Sequence, residues 1–365
     1  MTVFQKIVWS GVVVAGIAVF YILGATVVGR YAEPPPPITP VLQKIETSTE
    51  ATTTPACVQN GREDLPCYEA YYTDRVKKIG VTESFVDLKA RYASSSAVRS
   101  ECHQITHAIG HASAELGSGV GVAFAIGDPF CWSGYYHGVM EGIVKEVGTE
   151  ALASKINDIC TDIPGKATYS FEYYNCVHGL GHGVMELYDA NLFTSLDACS
   201  KLKGEWEQSS CGGGVFMENI MIESRGGVSA YLKKDDPLYP CDAVSELHKS
   251  QCYLMQTSHM LTAAGDDFGK VFTQCAAAEE SYRGTCYQSL GRDASGRSVS
   301  DAVKTKAICM MGSTPFAQEN CVIGAVKDFV SFFHSDTQAN AFCTSLNADL
   351  KHTCLQVAQS YYSTF

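Results

Sequence analysis

Four cysteines, Cys241, Cys275, Cys309 and Cys343, follow one another at 34-residue steps, and Cys252, Cys286, Cys321 and Cys354 follow at steps of 34, 35 and 33. A period of this size is the signature of a repeated two-helix unit. The local pattern agrees. Ser300 to Met311 reads as a helix with Val303, Ala307 and Met310 on one face. Gly312 to Asn320 reads as a loop, and Cys321 to Phe333 as a second helix with Val322, Val326, Phe329 and Phe333 in register. The first cysteine then sits near the end of one helix and the second opens the next, so a bond between them pins the ends of one hairpin loop. That logic pairs Cys241 with Cys252, Cys275 with Cys286, Cys309 with Cys321, and Cys343 with Cys354. Upstream, Cys160 with Cys176 and Cys199 with Cys211 read as looser versions of the same unit. Cys57 with Cys67 closes a short loop, and Cys102 with Cys131 follows by elimination. Loops this short imply about 2–4 kcal/mol per bond, mostly by restricting the unfolded chain.

The period and the helix pairs over roughly Cys160 to Cys354 resemble tetratricopeptide and Sel1-like repeats, including cysteine-bridged versions of the latter. The tetratricopeptide signature of Trp, Leu-Gly and Tyr positions is not present, so no binding residues carry over. What the resemblance implies is a protein-binding scaffold.

The chain holds 16 cysteines in 365 residues with no Cys-x-x-Cys, so zinc ribbons, thioredoxin-like redox motifs and c-type haem attachment are unsupported. An even count at regular spacing implies a disulfide framework and an oxidising compartment. The N-terminus fits. Ile7 to Gly29 is uncharged and mostly apolar, long enough to span a bilayer as a helix. An uncleaved anchor is preferred over a signal peptide, whose apolar region is shorter. Pro34 to Pro37 and the Thr/Ser/Glu-rich stretch from Glu46 to Ala56 read as a tether. The net charge of −12 disfavours nucleic acid as a partner.

The chemistry lies between His103 and Glu218. Six of the ten histidines fall at His103, His107, His111, His137, His178 and His182. The first three stand four residues apart, with Glu115 at the next step. His178, His182 and Glu186 repeat that order, and His137-Gly138-Val139-Met140-Glu141 matches the run from His182 to Glu186 letter for letter. Gly214-Val215-Phe216-Met217-Glu218 reads as a further copy that lost its histidine. Residues four apart share a helix face. The glycines between them cost about 1 kcal/mol each relative to alanine, which asks for a reason such as close helix approach. Tightly packed helices would let the six imidazoles converge, with Glu115, Glu141 and Glu186 as ligands or as groups that hold the rings. Imidazole with carboxylate suits zinc or iron, and the number of ligands leaves room for two ions. Three copies of the pattern, rather than one, favour ligation over simple packing. His248, His259, His334 and His352 stand alone and are assigned to packing or surface.

Known catalytic motifs are absent. The zincin pattern needs Glu directly after the first histidine, where Ala108 or Gly179 stands. There is no Glu-x-x-His, no Gly-x-Ser-x-Gly and no nucleotide fingerprint. Tyr135-Tyr136 and Tyr173-Tyr174 are read as aromatic packing at helix starts. Cys211-Gly212-Gly213-Gly214 fits an anion-binding nest at a helix N-terminus or a tight turn.

The expectation is an all-α, disulfide-stapled helical-hairpin solenoid with one N-terminal transmembrane helix. It divides into an anchor at 7–29, a tether at 30–56, a His/Glu-rich helical domain at 57–224 and cysteine-bridged repeats at 225–365. Two functions follow: an extracytoplasmic metal-binding scaffold with a protein partner on the solenoid, or a metal-dependent hydrolase or oxygenase with Glu186 or Glu141 as acid/base.

Overall fold

The computed structural model describes residues 57–363 apart from 60, 61, 118, 225 and 226. The chain divides into two units, Met1–Thr54 and Pro55–Phe365, and the described residues belong to the second. The expected anchor at 7–29 and tether at 30–56 lie outside them. No helix among the described residues is long and apolar enough to cross a membrane.

A two-residue antiparallel ladder of β1 (Val58–Gln59) and β2 (Arg62–Glu63) leads into fifteen helices among the described residues. They are α1 (Leu65–Ile79), α2 (Val81–Ser94), α3 (Ser96–Ala114), α4 (Val120–Ala125), α5 (Gly134–Lys155, kinked at Gly148), α6 (Phe171–Leu187), α7 (Leu192–Cys199) and α8 (Glu205–Ser224). Then come α9 (Glu246–Ala264), α10 (Phe268–Ala276), α11 (Arg283–Arg297), α12 (Ala302–Cys309), α13 (Pro315–Phe333), α14 (Thr337–Thr344) and α15 (Ala348–Tyr362). The long helices α3, α5, α6, α8, α9, α11, α13 and α15 lie side by side in chain order, each packed on the next. The short helices α7, α10, α12 and α14 each rest against the two long helices that flank them in the chain.

The joints between units repeat a single device. Asp189-Ala190 and Val299-Ser300 follow long helices with left-handed φ, as do Gly265-Asp266. The amides of Ala190, Asp266 and Ser300 donate back to the carbonyls of Met185, Leu261 and Ser295 at 2.8, 2.8 and 2.9 Å, which ends each helix as a Schellman turn does. The very next residue caps the following short helix. Asn191, Asp267 and Asp301 accept from the amides of Thr194, Lys270 and Lys304 at 3.1, 3.0 and 3.0 Å. Helix stop and helix start are therefore written in three adjacent residues.

All eight disulfides expected from the spacing are formed: 57–67, 102–131, 160–176, 199–211, 241–252, 275–286, 309–321 and 343–354. No cysteine is free. This framework fits an oxidising, extracytoplasmic setting.

Three local expectations need correction. Helix α13 begins at Pro315, about two turns before Cys321, so most of the supposed loop from Gly312 to Asn320 is helical. Proline is tolerated in the first turn, and Thr314 caps it by accepting from the Ala317 amide at 3.1 Å. Helix α12 does not bury Val303 and Ala307; Val303 is 80 % exposed, and Thr305 and Cys309 face the core instead. In α13 the expected face holds, with Val322, Val326 and Phe329 buried. Finally, Cys241 is not on a first helix, because 227–245 is a run of turns and irregular backbone.

The row of helices curls until its later part meets its beginning. The Trp132 indole, just before α5, donates to Asp328 Oδ1 of α13 at 3.0 Å and packs on Phe332 at 4.6 Å between ring centroids. Tyr92 of α2 also meets Phe332, and His334 lies within hydrogen-bond distance of the Pro129 carbonyl and packs on Phe171. Asp328 is 5 % exposed, and burial pushes its carboxyl from 3.8 up to about 6, with Ser295 and Trp132 offsetting only part of that. The folded state therefore holds this proton more tightly than the unfolded one. Stability is greatest below the ordinary carboxyl range and declines as pH rises through about 6. A shift of about two units corresponds to about 3 kcal/mol lost by neutral pH. Asp328→Asn keeps an acceptor for Trp132 and removes the charge. It should raise the melting temperature at pH 8 and leave it nearly unchanged at pH 4, as read by calorimetry; an equal shift at both would refute a buried-charge penalty.

Candidate metal centre

Helices α3 and α5 touch backbone on backbone, as do α6 and α8, while between α5 and α6 the glycines Gly179 and Gly183 meet the side chains of Met140 and Val144. A Cβ on Gly138 would sit 2.1 Å from the His107 carbonyl oxygen, and one on Gly110 would sit 2.1 Å from that of Tyr135. The same happens between α6 and α8, where a Cβ on Gly214 would sit 2.0 Å from the His178 oxygen. No side chain fits there, so the flanking residues of adjacent helices are drawn together. The expectation that Gly212 to Gly214 form a nest or turn is thereby corrected. They lie inside α8, as close-approach residues.

What is drawn together is a layer of imidazoles. His103 and His107 from α3, His137 from α5, and His178 and His182 from α6 make ring-to-ring contacts with centroids 4.6 to 5.4 Å apart. His107, His137, His178 and His182 are at most 3 % exposed. Four sets of three residues bring their ligand atoms within 4.8 Å of one another: His103/His107/His137, His137/His178/His182, His107/Glu141/His182 and His111/Glu141/Glu186. Buried His and Glu groups that could hold a metal ion are thus present.

Each ring has a second partner that decides which nitrogen it offers. His103 Nδ1 lies 2.8 Å from the Cys131 carbonyl, which can only accept. His107 Nδ1 lies 2.9 Å from Glu141 Oε1, and His182 Nδ1 lies 3.0 Å from Glu218 Oε2. These Nδ1 atoms donate, so in the neutral rings the lone pair is on Nε2. A ligating histidine held through its other nitrogen by a carboxylate or carbonyl is the usual arrangement around protein metals. His178 contacts the Tyr174 hydroxyl at 3.3 Å through Nδ1. His182 Nε2 and His137 Nδ1 are fully buried and make no hydrogen bond among the described residues.

Charge follows burial. Burial pushes His103 down to about 3, reinforced by the neighbouring His107. His137 and His178 are held well below the ordinary histidine value by burial first and then by neighbouring imidazoles. Burial alone would raise Glu141, but His107 and His111 outweigh it and hold the carboxyl well below its usual range. Neutral imidazoles around a fixed carboxylate are the protonation state that divalent cations require.

The remaining expected residues stand at the rim. His111 Nε2 is 2.6 Å from Glu141 Oε2, and Glu186 Oε1 pairs with Lys145 at 3.0 Å. Burial lowers His111, yet the hydrogen bond and charge of Glu141 more than compensate and raise it. Glu115 does not join the group; it closes α3 and pairs with Lys77 at 2.8 Å. A cleft of about 450 Å³ leads inward past Glu69, His111 and Glu186 to His107, Glu141 and Glu218.

No family model, curated protein or solved structure matches this chain. The centre is therefore read from its own geometry. Of the lone histidines, His259 is tied by Glu223 at 2.8 Å and lies 3.2 Å from the Lys233 carbonyl, and His248 is buried beside Ser200, both away from the centre.

Glu218 was missing from the expected set. Its signal was present, since Gly214 to Glu218 copies Gly138 to Glu141 with one extra residue, but reading the copy as a lost ligand site hid its use. Each carboxylate serves the histidine of the preceding helix, Glu141 for His107 and Glu218 for His182. Glu218→Ala should leave the fold intact and weaken metal affinity about 10–100-fold. Competition with a chromophoric chelator measures this, and an unchanged affinity would remove Glu218 from the centre.

Proposed function

We propose that the chain is an extracytoplasmic metalloprotein, membrane-anchored through residues 7–29, that holds a divalent ion, zinc or iron, among His103, His107 and His137. The observation that carries this reading is the pair of Nε2 atoms of His103 and His107, 3.2 Å apart with both Nδ1 atoms already given to acceptors. A tetrahedral ion with metal–nitrogen distances of about 2.0–2.1 Å spaces two nitrogens about 3.3 Å apart. The alternative is a proton between them, which demands a charged imidazolium inside a layer of buried rings, and desolvation opposes that. With every cysteine bridged, the ligands are imidazole and carboxylate only. The helical repeats, which resemble Sel1-like and tetratricopeptide units, support a scaffold role toward a protein partner.

The test is elemental analysis of the full-length chain exported to an oxidising compartment and purified without chelator. Stoichiometric zinc or iron is expected, and His107→Ala should lower it by one equivalent while the disulfides still form. Wild-type protein that takes up neither ion on dialysis would sink the reading.

The cleft favours a second reading, a metal-dependent hydrolase or oxygenase. Its volume of about 450 Å³ lies in the range of small-molecule sites, and it reaches His107 and Glu141. Glu186, with its side chain 38 % exposed at the mouth, is the carboxylate we assign as acid/base. On this reading Glu186→Gln lowers kcat at least tenfold toward any substrate the loaded protein turns over, with metal content unchanged. A variant with full kcat would remove Glu186 from the chemistry.

A further inference from the structure

We infer that the centre holds two divalent ions side by side, the first on His103, His107 and His137 and the second on His178 and His182. This rests on the metal-binding reading above and extends it.

Five imidazoles are more than one ion takes from a protein in a four-coordinate site. What divides them is the stacking of His137 on His182, with ring centroids 4.6 Å apart and planes only 15° from parallel. An imidazole lone pair lies in the plane of its ring, so an ion must lie near the plane of every ring that binds it. Stacked rings in van der Waals contact have planes about 3.5 Å apart. An ion about 2.0–2.1 Å from a nitrogen of one ring is therefore far out of the plane of the other. The nitrogens of His137, His178 and His182 fall within 4.8 Å of one another, yet His137 and His182 serve different ions.

The remaining angles sort the rings. His103, His107 and His137 stand at 67°, 71° and 75° to one another, with no pair stacked and their ligand nitrogens within 4.8 Å of one another, so a single ion can face all three. His178 and His182 stand at 57° with centroids 5.2 Å apart, which suits a second shared ion. His182 keeps a nitrogen for it: Nδ1 goes to Glu218, and Nε2 is fully buried and makes no hydrogen bond among the described residues. His178 lies 3.3 Å from the Tyr174 hydroxyl through Nδ1 and also bonds the Ser210 carbonyl, contacts that an ion there would have to share or displace. Imidazole donors select first-row divalent cations such as zinc, iron and cobalt, and exclude calcium and magnesium, which want oxygen. Glu141 reaches both groups. Its Oε1 accepts from His107 Nδ1 at 2.9 Å and lies 3.6 Å from His182 Nδ1, which donates to Glu218, so one carboxylate charge stands beside a ring of each site.

The probe is cobalt(II) alone, titrated into the full-length chain after chelator treatment and followed by visible absorption and electron paramagnetic resonance. Two equivalents are expected, the second diminishing the resonance of the first by spin coupling across a few ångströms. His182→Ala and His178→Ala should each reduce the stoichiometry from two to one and leave an uncoupled cobalt signal. One equivalent in the wild type, with both variants unchanged, would overturn the second site and keep the first. No cobalt in the wild type would overturn the metal-binding reading itself. Should either variant fail to fold by circular dichroism, the wild-type count and coupling decide alone.

Discussion

The contact on which the rest depends is the meeting of helix backbones at Gly110 and Gly138, and again at Gly181 and Gly214. At each, an added Cβ would lie 2.0 or 2.1 Å from a main-chain atom of the next helix. Helices that approach this closely cannot keep their neighbouring side chains apart. Bulky residues on the flanking positions would force the axes to separate. Imidazole is flat, and five of them fill the layer edge to face and face to face. Glycine in a helix is costly, and the compensation is the dense side-chain layer it creates.

That layer sets the electrostatics. Desolvation pushes His103, His137 and His178 toward the neutral form, while Glu141 is held toward the charged form by His107 and His111. A buried carboxylate with fixed donors and a set of inward lone pairs is complementary to a cation. The rim differs. His111 is more exposed, and Glu186 is occupied by Lys145, so charge there is balanced by side chains and solvent. The cleft therefore runs from a self-neutralised mouth to an interior where His182 Nε2 and His137 Nδ1 make no hydrogen bond among the described residues.

Much of this was legible in the sequence because its signals are periodic. Cysteine spacing specifies which positions share a hairpin, and every pairing inferred from it is formed. Histidine spacing specifies a face, and five of the six imidazoles lie in one layer, with His111 at its rim. What was not legible depended on where helices begin and which neighbour they meet. Pro315 reads as a breaker yet starts α13, because the first turn has no use for its missing amide. Val303 reads as core yet is exposed, because a helix as short as α12 is oriented by its flanking joints more than by its own apolar residues. Glu186 and Glu141 carry identical letters but different depths, and Glu218 looked like a relic. Their roles come from the histidine one helix back, which no single motif contains.

Three consecutive residues before α5, Cys131, Trp132 and Ser133, hold left-handed φ values of 60°, 54° and 63°, at a cost of about 1–2 kcal/mol each. The first two are fastened to different parts of the molecule. Cys131 is bridged to Cys102 and its carbonyl aims His103, while Trp132 is clasped by Asp328 nearly two hundred residues later. A strained turn relaxes when its restraints are missing. The orientation of one imidazole is thus coupled both to an oxidation step and to a clasp formed by residues far downstream, so local ring geometry reports on the state of the whole fold.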